Sequence, residues 1–85
     1  MEKSIYARDY AVFCSLLRSC REKAGLSQQA IAERLHETQT FVSKCERGER
    51  RVDIVELSQW CTALGISLNV FVRLYEDACS KTIGR

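Results

Sequence analysis

The sequence contains no proline, and its four glycines, at positions 25, 48, 65 and 84, fall between stretches of helical periodicity. Proline and glycine are the residues that most often end a helix, so this spacing divides the chain into short helices joined by brief turns. Within each stretch, apolar residues recur at steps of three and four, as they do on the buried face of an amphipathic helix. The pattern predicts an all-α fold, a bundle of five helices.

The chain has 85 residues, which is enough for one small hydrophobic core and not for two. We expect a single domain over residues 1–85, with its folded core in residues 9–79. No apolar run approaches the roughly 18 residues that cross a bilayer, so no membrane contact is expected.

The cysteines and the single histidine argue against several kinds of chemistry. The five cysteines are odd in number and form no C-x-x-C pair, which favours reduced, buried thiols in the cytoplasm over a disulfide framework. One histidine leaves no recognisable set of metal ligands, and no phosphate-binding glycine loop occurs. We therefore predict neither an enzyme nor a bound metal or cofactor.

The periodicity also gives the limits of each helix. It predicts helices from Asp9 to Ala24, from the Ser27 cap to Leu35, and from Gln39, after a Thr38 cap, to Arg47. A fourth helix is expected to begin at a capping box formed by Asp53 and Glu56 and to end at Gly65, and a fifth to run from Ser67 to about Cys79. The fifth carries a second apolar strip, Val70, Leu74 and Ala78, which indicates a partner surface.

The stretch from Ser27 to Gly48 reads as a helix, a short turn and a second helix, the arrangement that presents its second helix to a DNA major groove. The polar side chains on the outward side of that second helix include no acid and can pair with base edges. They are Thr38, Gln39, Thr40, Ser43 and Lys44. Residues 1–51 hold ten Lys and Arg against seven Asp and Glu, a net charge of +3, whereas residues 52–85 carry a net charge of −1. The alternative is an ordinary solvated polar face.

Several motifs in residues 17–71 resemble the helix-turn-helix domain of phage-repressor type, that of the Cro/CI or XRE-like transcriptional regulators. The motifs are REKAGLSQ at 21–28, IAERL at 31–35, FVSKCERG at 41–48 and ALGISL at 63–68. The resemblance implies a lambda-repressor-like bundle whose second and third helices form the helix-turn-helix.

The resemblance also implies roles for individual residues. Gln39 would read bases, and Gln28 would contact phosphate from a helix N-terminus and brace Gln39. A partly buried ion pair between Arg21 and Glu46 would hold the recognition helix on the first helix. The remaining base-facing residues would be Thr38, Thr40, Ser43 and Lys44, and the remaining phosphate contacts Arg47, Arg50 and Arg51. For Arg50 and Arg51, ordinary solvated charge is the alternative.

Three residues depart from the family pattern. His36 stands where glycine is common and must then accept a positive φ, which histidine tolerates better than most residues. Val52 stands where many members have proline, which predicts a looser loop. Phe41 is large for a boundary position and either packs on the second helix, which we favour, or touches a thymine methyl group.

Together these features predict a sequence-specific regulator of transcription that binds double-stranded DNA, acting as a repressor and homodimer on a roughly palindromic operator. We expect Val70 and Leu74 to form the dimer interface, with Ile5, Tyr6 and Tyr10 as further candidates. Two alternatives remain open. One is an antitoxin or restriction-modification controller with a toxin or other protein partner, and the other is a protein-interaction module that has lost DNA binding.

Overall fold

The computed structural model describes residues 5–83, and within them it forms five α-helices and no strand. The helices are α1 (Ile5–Lys23), α2 (Gln28–Leu35), α3 (Gln39–Arg47), α4 (Ile54–Leu64) and α5 (Leu68–Ile83). The predicted all-α bundle of five helices is therefore confirmed.

Three predicted helix limits are wrong. The first helix begins at Ile5 rather than Asp9, and the last reaches Ile83 rather than ending near Cys79. Neither extension contains proline or glycine, so the backbone offers no reason to stop at the predicted residue. The other end of α1 is predicted one residue too long, because Ala24 lies in the turn after that helix and is exposed.

The turn between α2 and α3 is closed by backbone bonds and by a cap. His36 has φ 58° and ψ 41°, so the prediction of a left-handed histidine is confirmed. The amide of the next residue, Glu37, donates to Ala32 O at 2.9 Å, which closes the end of α2. Thr38 Oγ1 then accepts from Phe41 N at 3.1 Å and starts α3. The two helices are thus separated by a short, fully bonded turn.

The core holds α3 against the rest of the bundle through Val42 and Cys45, both fully buried. They share one apolar cluster with Leu17 of α1, Ile31 of α2 and Trp60 of α4. Because interiors are packed as densely as organic crystals, α3 cannot rotate about its axis without opening this cluster. The packing therefore decides which side of α3 faces solvent.

The loop between α3 and α4 is held where it enters α4. Asp53 Oδ1 accepts from Glu56 N at 2.7 Å and Glu56 Oε1 accepts from Asp53 N at 3.0 Å, which confirms the predicted capping box. Val52 N donates to the hydroxyl oxygen of Tyr10 in α1 at 3.2 Å. This bond ties Val52 to α1, and the looser loop expected at Val52 stays a prediction.

Candidate nucleic-acid interface

The outer face of α3 is polar and open to solvent. Thr38, Gln39, Thr40 and Lys44 are exposed, and Ser43 is half-buried. The Glu46 side chain, the only acid in α3, is 3% exposed and so adds almost no negative charge to this surface. What α3 presents to solvent is a set of hydroxyl, amide and ammonium groups, which pair with base edges and phosphates.

Beneath this face, the structure brings Arg21 of α1 and Glu46 of α3 into a two-pronged ion pair. Arg21 Nε donates to Glu46 Oε2 at 2.6 Å and Arg21 Nη2 to Glu46 Oε1 at 3.1 Å, with side chains 9% and 3% exposed. The hydrogen bond that Arg21 donates to Glu46 raises the pKa of Arg21, so the guanidinium stays charged. A third donor, Arg21 Nη1, holds Leu26 O at 2.8 Å and fastens the turn before α2. The ion pair therefore links α1, α2 and α3 at one point.

Two glutamines extend this ion pair to the surface. Gln28, at the start of α2, donates from Nε2 to Glu46 Oε1 at 3.1 Å. Gln39, at the start of α3, donates from Nε2 to Gln28 Oε1 at 3.3 Å. A continuous polar chain thus runs from buried Arg21 to exposed Gln39. We call these four residues, Arg21, Glu46, Gln28 and Gln39, the polar chain.

At the other end of α3, Arg47 is exposed and engaged with neighbours on the surface. Its Nε donates to Glu49 Oε2 at 3.0 Å, and Nη1 donates to Ser43 Oγ. Both side chains of the ion pair are more than half exposed. Exposed pairs of this kind are weak and are easily exchanged for a phosphate.

Arg50 and Arg51, expected to contact phosphate, both lie against aromatic rings. The Arg50 guanidinium carbon is 4.9 Å from the centre of the Phe41 ring, and Arg50 Nη2 pairs with Glu56 Oε2 at 2.9 Å. Arg51 lies over Tyr10 at 4.2 Å. Phe41 itself is half-buried against the core, the packing favoured from the sequence. These contacts hold two cations beside the C-terminal end of α3.

Sequence reasoning missed Glu56 and Tyr10 as residues that position this surface. Glu56 was identified only as a cap, although its Oε1 also accepts from Arg50 Nη1 at 3.0 Å. Tyr10 was placed among the candidates for a dimer interface, yet its ring and hydroxyl hold Arg51 and Val52. The sequence carries no local signal for the contacts of Tyr10, because they join residues far apart in the chain. The side chains of Ile5 and Tyr6, the other two candidates, lie outside the described residues.

Two of the three residues of the apolar strip predicted on α5 are exposed, and the third, Ala78, is half-buried. Val70 and Leu74 are 47% and 39% exposed, and Val72 on the other flank of the helix is 39% exposed. At the start of α4, Ile54 and Val55 are 61% and 65% exposed, which the sequence analysis did not single out. Exposed apolar residues grouped on a helix mark surfaces that associate with other molecules.

The thiols are poorly suited to nucleophilic chemistry. Burial raises the pKa of Cys14, Cys20 and Cys61, and raises that of Cys45 to about 11. At neutral pH they are protonated, and the thiolate is the reactive form. Within residues 5–83, no group of three or more His, Cys, Asp or Glu side chains is placed to hold a metal ion.

No described helix is by itself long and apolar enough to cross a bilayer. The helices α4 and α5 qualify only when taken together, and they meet at a bend of 104°.

The same region of the sequence matches a known protein family. The sequence model of the helix-turn-helix family matches residues 17–71. The matched segment includes all of α2, α3 and α4 and the part of α1 that contains Arg21, and therefore the whole polar chain.

Three known proteins show what the chain is similar to. It is 37% identical over 49 residues to the control protein C.MunI of Mycoplasma sp, covering 58% of this chain and 66% of that protein, just under two thirds of its length. An XRE-family like protein from Pseudomonas syringae pv. tomato str. DC3000 is 34% identical, with a TM-score of 0.79 over 86% of this chain and 89% of that one. The restriction-modification controller C.Esp1396I, as a tetramer with its natural 35 base-pair operator, is 20% identical, with a TM-score of 0.78 over 92% and 97% of the two chains.

Proposed function

Because this chain belongs to the XRE-type helix-turn-helix family of DNA-binding regulators, we propose that it binds a specific operator through α3 and represses transcription as a homodimer. The proposed base contacts are Thr38, Gln39, Thr40, Ser43 and Lys44, and the proposed phosphate contacts are Gln28, Arg47, Arg50 and Arg51. Repression would follow from occupancy of the operator, which excludes polymerase.

The exposed, acid-free outer face of α3 carries this proposal. A groove-reading helix must bring donors and acceptors to base edges without adding negative charge near the phosphates. The only carboxylate of α3, that of Glu46, is neutralised by Arg21 within the fold. The cations at the C-terminal end of α3 and in the following loop add the electrostatic attraction that holds a protein on duplex DNA.

The exposed apolar strip on α5 supports the homodimer. Two-fold dimers of helix-turn-helix proteins place their recognition helices in successive major grooves, about 34 Å apart, on palindromic sites. Val70 and Leu74 supply apolar area of the kind that such an interface buries. In this proposal, one interface joins two copies of the protein on the operator, and the operator is two-fold symmetric for the same reason.

A more specific role is that of a restriction-modification controller. The identity with the control protein C.MunI favours it, and the operator-bound tetramer of C.Esp1396I gives a fold of the same kind in that role. A methyltransferase reading frame beside the gene would support this role, whereas a toxin gene there would support the antitoxin alternative. In either case α3 remains the DNA-binding element.

Selection of bound sequences from randomised duplex DNA tests the proposal. We expect enrichment of a two-fold symmetric site with half-sites about one helical turn apart. Enrichment of no sequence would contradict specific binding, and enrichment of a lone half-site would contradict the homodimer.

The interface has its own test by sedimentation on the selected duplex. Leu74→Asp should bind as a monomer, whereas Ser80→Asp, which adds the same charge at an exposed position of α5, should bind as the wild type does. Equal behaviour of the two variants would place the dimer interface elsewhere.

A further inference from the structure

The direction of the hydrogen bonds in the polar chain is set at its buried end. Glu46 is a carboxylate, so both of its oxygens only accept, and Arg21 occupies it with two donors. Any further hydrogen bond to Glu46 must therefore come from a donor, which in a glutamine amide is the nitrogen. Gln28 provides it through Nε2, at 3.1 Å from Glu46 Oε1.

This first bond determines the orientation of both glutamine amides. Because Nε2 of Gln28 is turned to Glu46, Oε1 of Gln28 faces Gln39 and can only accept. Gln39 therefore donates from Nε2 to Gln28 Oε1 at 3.3 Å. A flipped Gln28 amide would place its oxygen against Glu46 Oε1, two acceptors in contact in a site where the carboxylate is 3% exposed. The amide nitrogen of Gln39 is thus held on the Gln28 side, which leaves its oxygen and one N–H unpaired.

The geometry points to Glu46 as a positioning residue for base selection. We infer, on the basis of the proposed DNA-binding function, that Glu46 acts through Gln28 to fix the order of acceptor and donor that Gln39 presents to the major groove. The consequence is discrimination in favour of adenine over guanine at the base pair that Gln39 contacts.

The chemistry of the two purines explains the discrimination. Adenine offers the N7 acceptor beside the N6 amino donor, which matches one N–H and one oxygen of an amide. Guanine offers two acceptors, N7 and O6, and its O6 would meet the fixed oxygen of Gln39. A glutamine whose amide turned freely could present its NH₂ group to guanine. Fixing the amide therefore turns a tolerant side chain into a selective one.

Replacing the carboxylate of Glu46 by an amide separates this role from that of the ion pair. In Glu46→Gln, the new side chain has nearly the same shape and can still accept from Arg21, but it can also donate to Gln28. Both Gln28 and Gln39 are then free to flip. We expect the preference for adenine over guanine, about tenfold or more in the wild type, to fall to about twofold, a larger change than the loss of affinity for random DNA.

The experiment has three steps. Selection from randomised duplexes first defines the site of the wild-type protein, and the position at which Gln39→Ala loses its preference identifies the base pair read by Gln39. Wild type and Glu46→Gln are then titrated against duplexes that differ only in adenine or guanine at that position. Glu22→Gln removes the same charge at an exposed position of α1 and should keep the preference.

Each outcome bears on the inference. Loss of the adenine preference in Glu46→Gln, in protein that is folded by circular dichroism, supports it, and retention of the preference overturns it. If Glu46→Gln does not fold, Gln28→Met interrupts the chain while leaving Arg21 and Glu46 paired, and the same two outcomes decide. A wild-type protein that selects no site would instead overturn the proposed function.

Discussion

The two ends of α3 are anchored in different ways. At the N-terminal end, Gln39 is joined through Gln28 to an ion pair whose side chains are 9% and 3% exposed. At the C-terminal end, Arg47 is paired with Glu49 in a contact whose side chains are 53% and 54% exposed. The residue proposed to read bases is thus supported from the core, and the cation proposed to meet phosphate is held only by other surface groups.

This difference matches what each contact requires. Base readout depends on donor and acceptor order and on distances within a few tenths of an ångström, so a rigid support helps. Phosphate contact depends mainly on charge, and a mobile guanidinium can follow the DNA backbone. An exposed ion pair suits such a cation, because a phosphate can replace the carboxylate at little cost in free energy.

The largest effect should come from breaking the buried ion pair. In Glu46→Ala, Arg21 keeps its charge in a buried site without a partner, which should lower the free energy of unfolding by about 3–5 kcal/mol. Operator affinity should fall as well, since α3 and the polar chain lose their anchor. Urea unfolding and operator titration measure the two effects.

Glu22→Ala is the matched control for that measurement. It breaks the Arg18–Glu22 pair of α1, whose side chains are 65% and 54% exposed, and should cost no more than about 0.5 kcal/mol. Similar losses of stability in the two variants would mean that the buried and exposed anchors do not differ.

The next effect should come from Gln39 itself. Gln39→Ala should weaken operator binding by about 1–3 kcal/mol and relax discrimination at one base pair, with little change on random DNA. Gln29→Ala is its control, because Gln29 is also exposed and its side chain bonds to Glu33 rather than to the polar chain. Equal losses on operator and random DNA in competition titrations would contradict base readout by Gln39.

The sequence predicted much of the N-terminal anchor and little of the C-terminal one. Arg21, Gln28 and Glu46 fall in motifs that resemble a known family, and that resemblance also implies the role of Gln39. The caps at Thr38 and Asp53 follow from local side-chain chemistry. The contact between Tyr10 and Val52 joins residues far apart in the chain, and no local periodicity indicates it. Such contacts depend on how α1 and the loop approach one another, which only the packed structure gives.

A smaller effect is expected at Tyr10, which supports the loop that follows α3. Tyr10→Phe keeps the ring under Arg51 but removes the oxygen that accepts from Val52 N. The loss of one hydrogen bond should lower stability by about 0.5–1.5 kcal/mol and speed hydrogen exchange at the Val52 amide. Unchanged exchange at Val52 would show that the loop does not depend on this bond.

Tyr10→Phe should also differ from the wild type in its stability at alkaline pH. Burial raises the pKa of Tyr10 above its ordinary value of 10.0, so the folded protein keeps this proton where the unfolded chain loses it. The resulting stability is fully present below about pH 10 and is lost as the pH rises through the folded-state pKa. The wild type should therefore lose stability above pH 10 more steeply than Tyr10→Phe does, and parallel pH profiles would contradict this assignment.

The smallest effect on the fold, and the sharpest test of the C-terminal anchor, should come from Arg50. Its pair with Glu56 is partly exposed, and Glu56 Oε1 still accepts from Asp53 N when Arg50 is absent, so Arg50→Ala should leave the melting temperature nearly unchanged. If Arg50 meets phosphate, the variant should weaken binding to all duplexes alike and reduce the slope of log affinity against log salt by about one unit. Arg18→Ala, which removes an exposed, ion-paired arginine from α1, should keep the wild-type slope. Equal slopes for the two variants would contradict phosphate contact by Arg50 and would leave Arg47 as the cation at the C-terminal end of α3 that is proposed to meet phosphate.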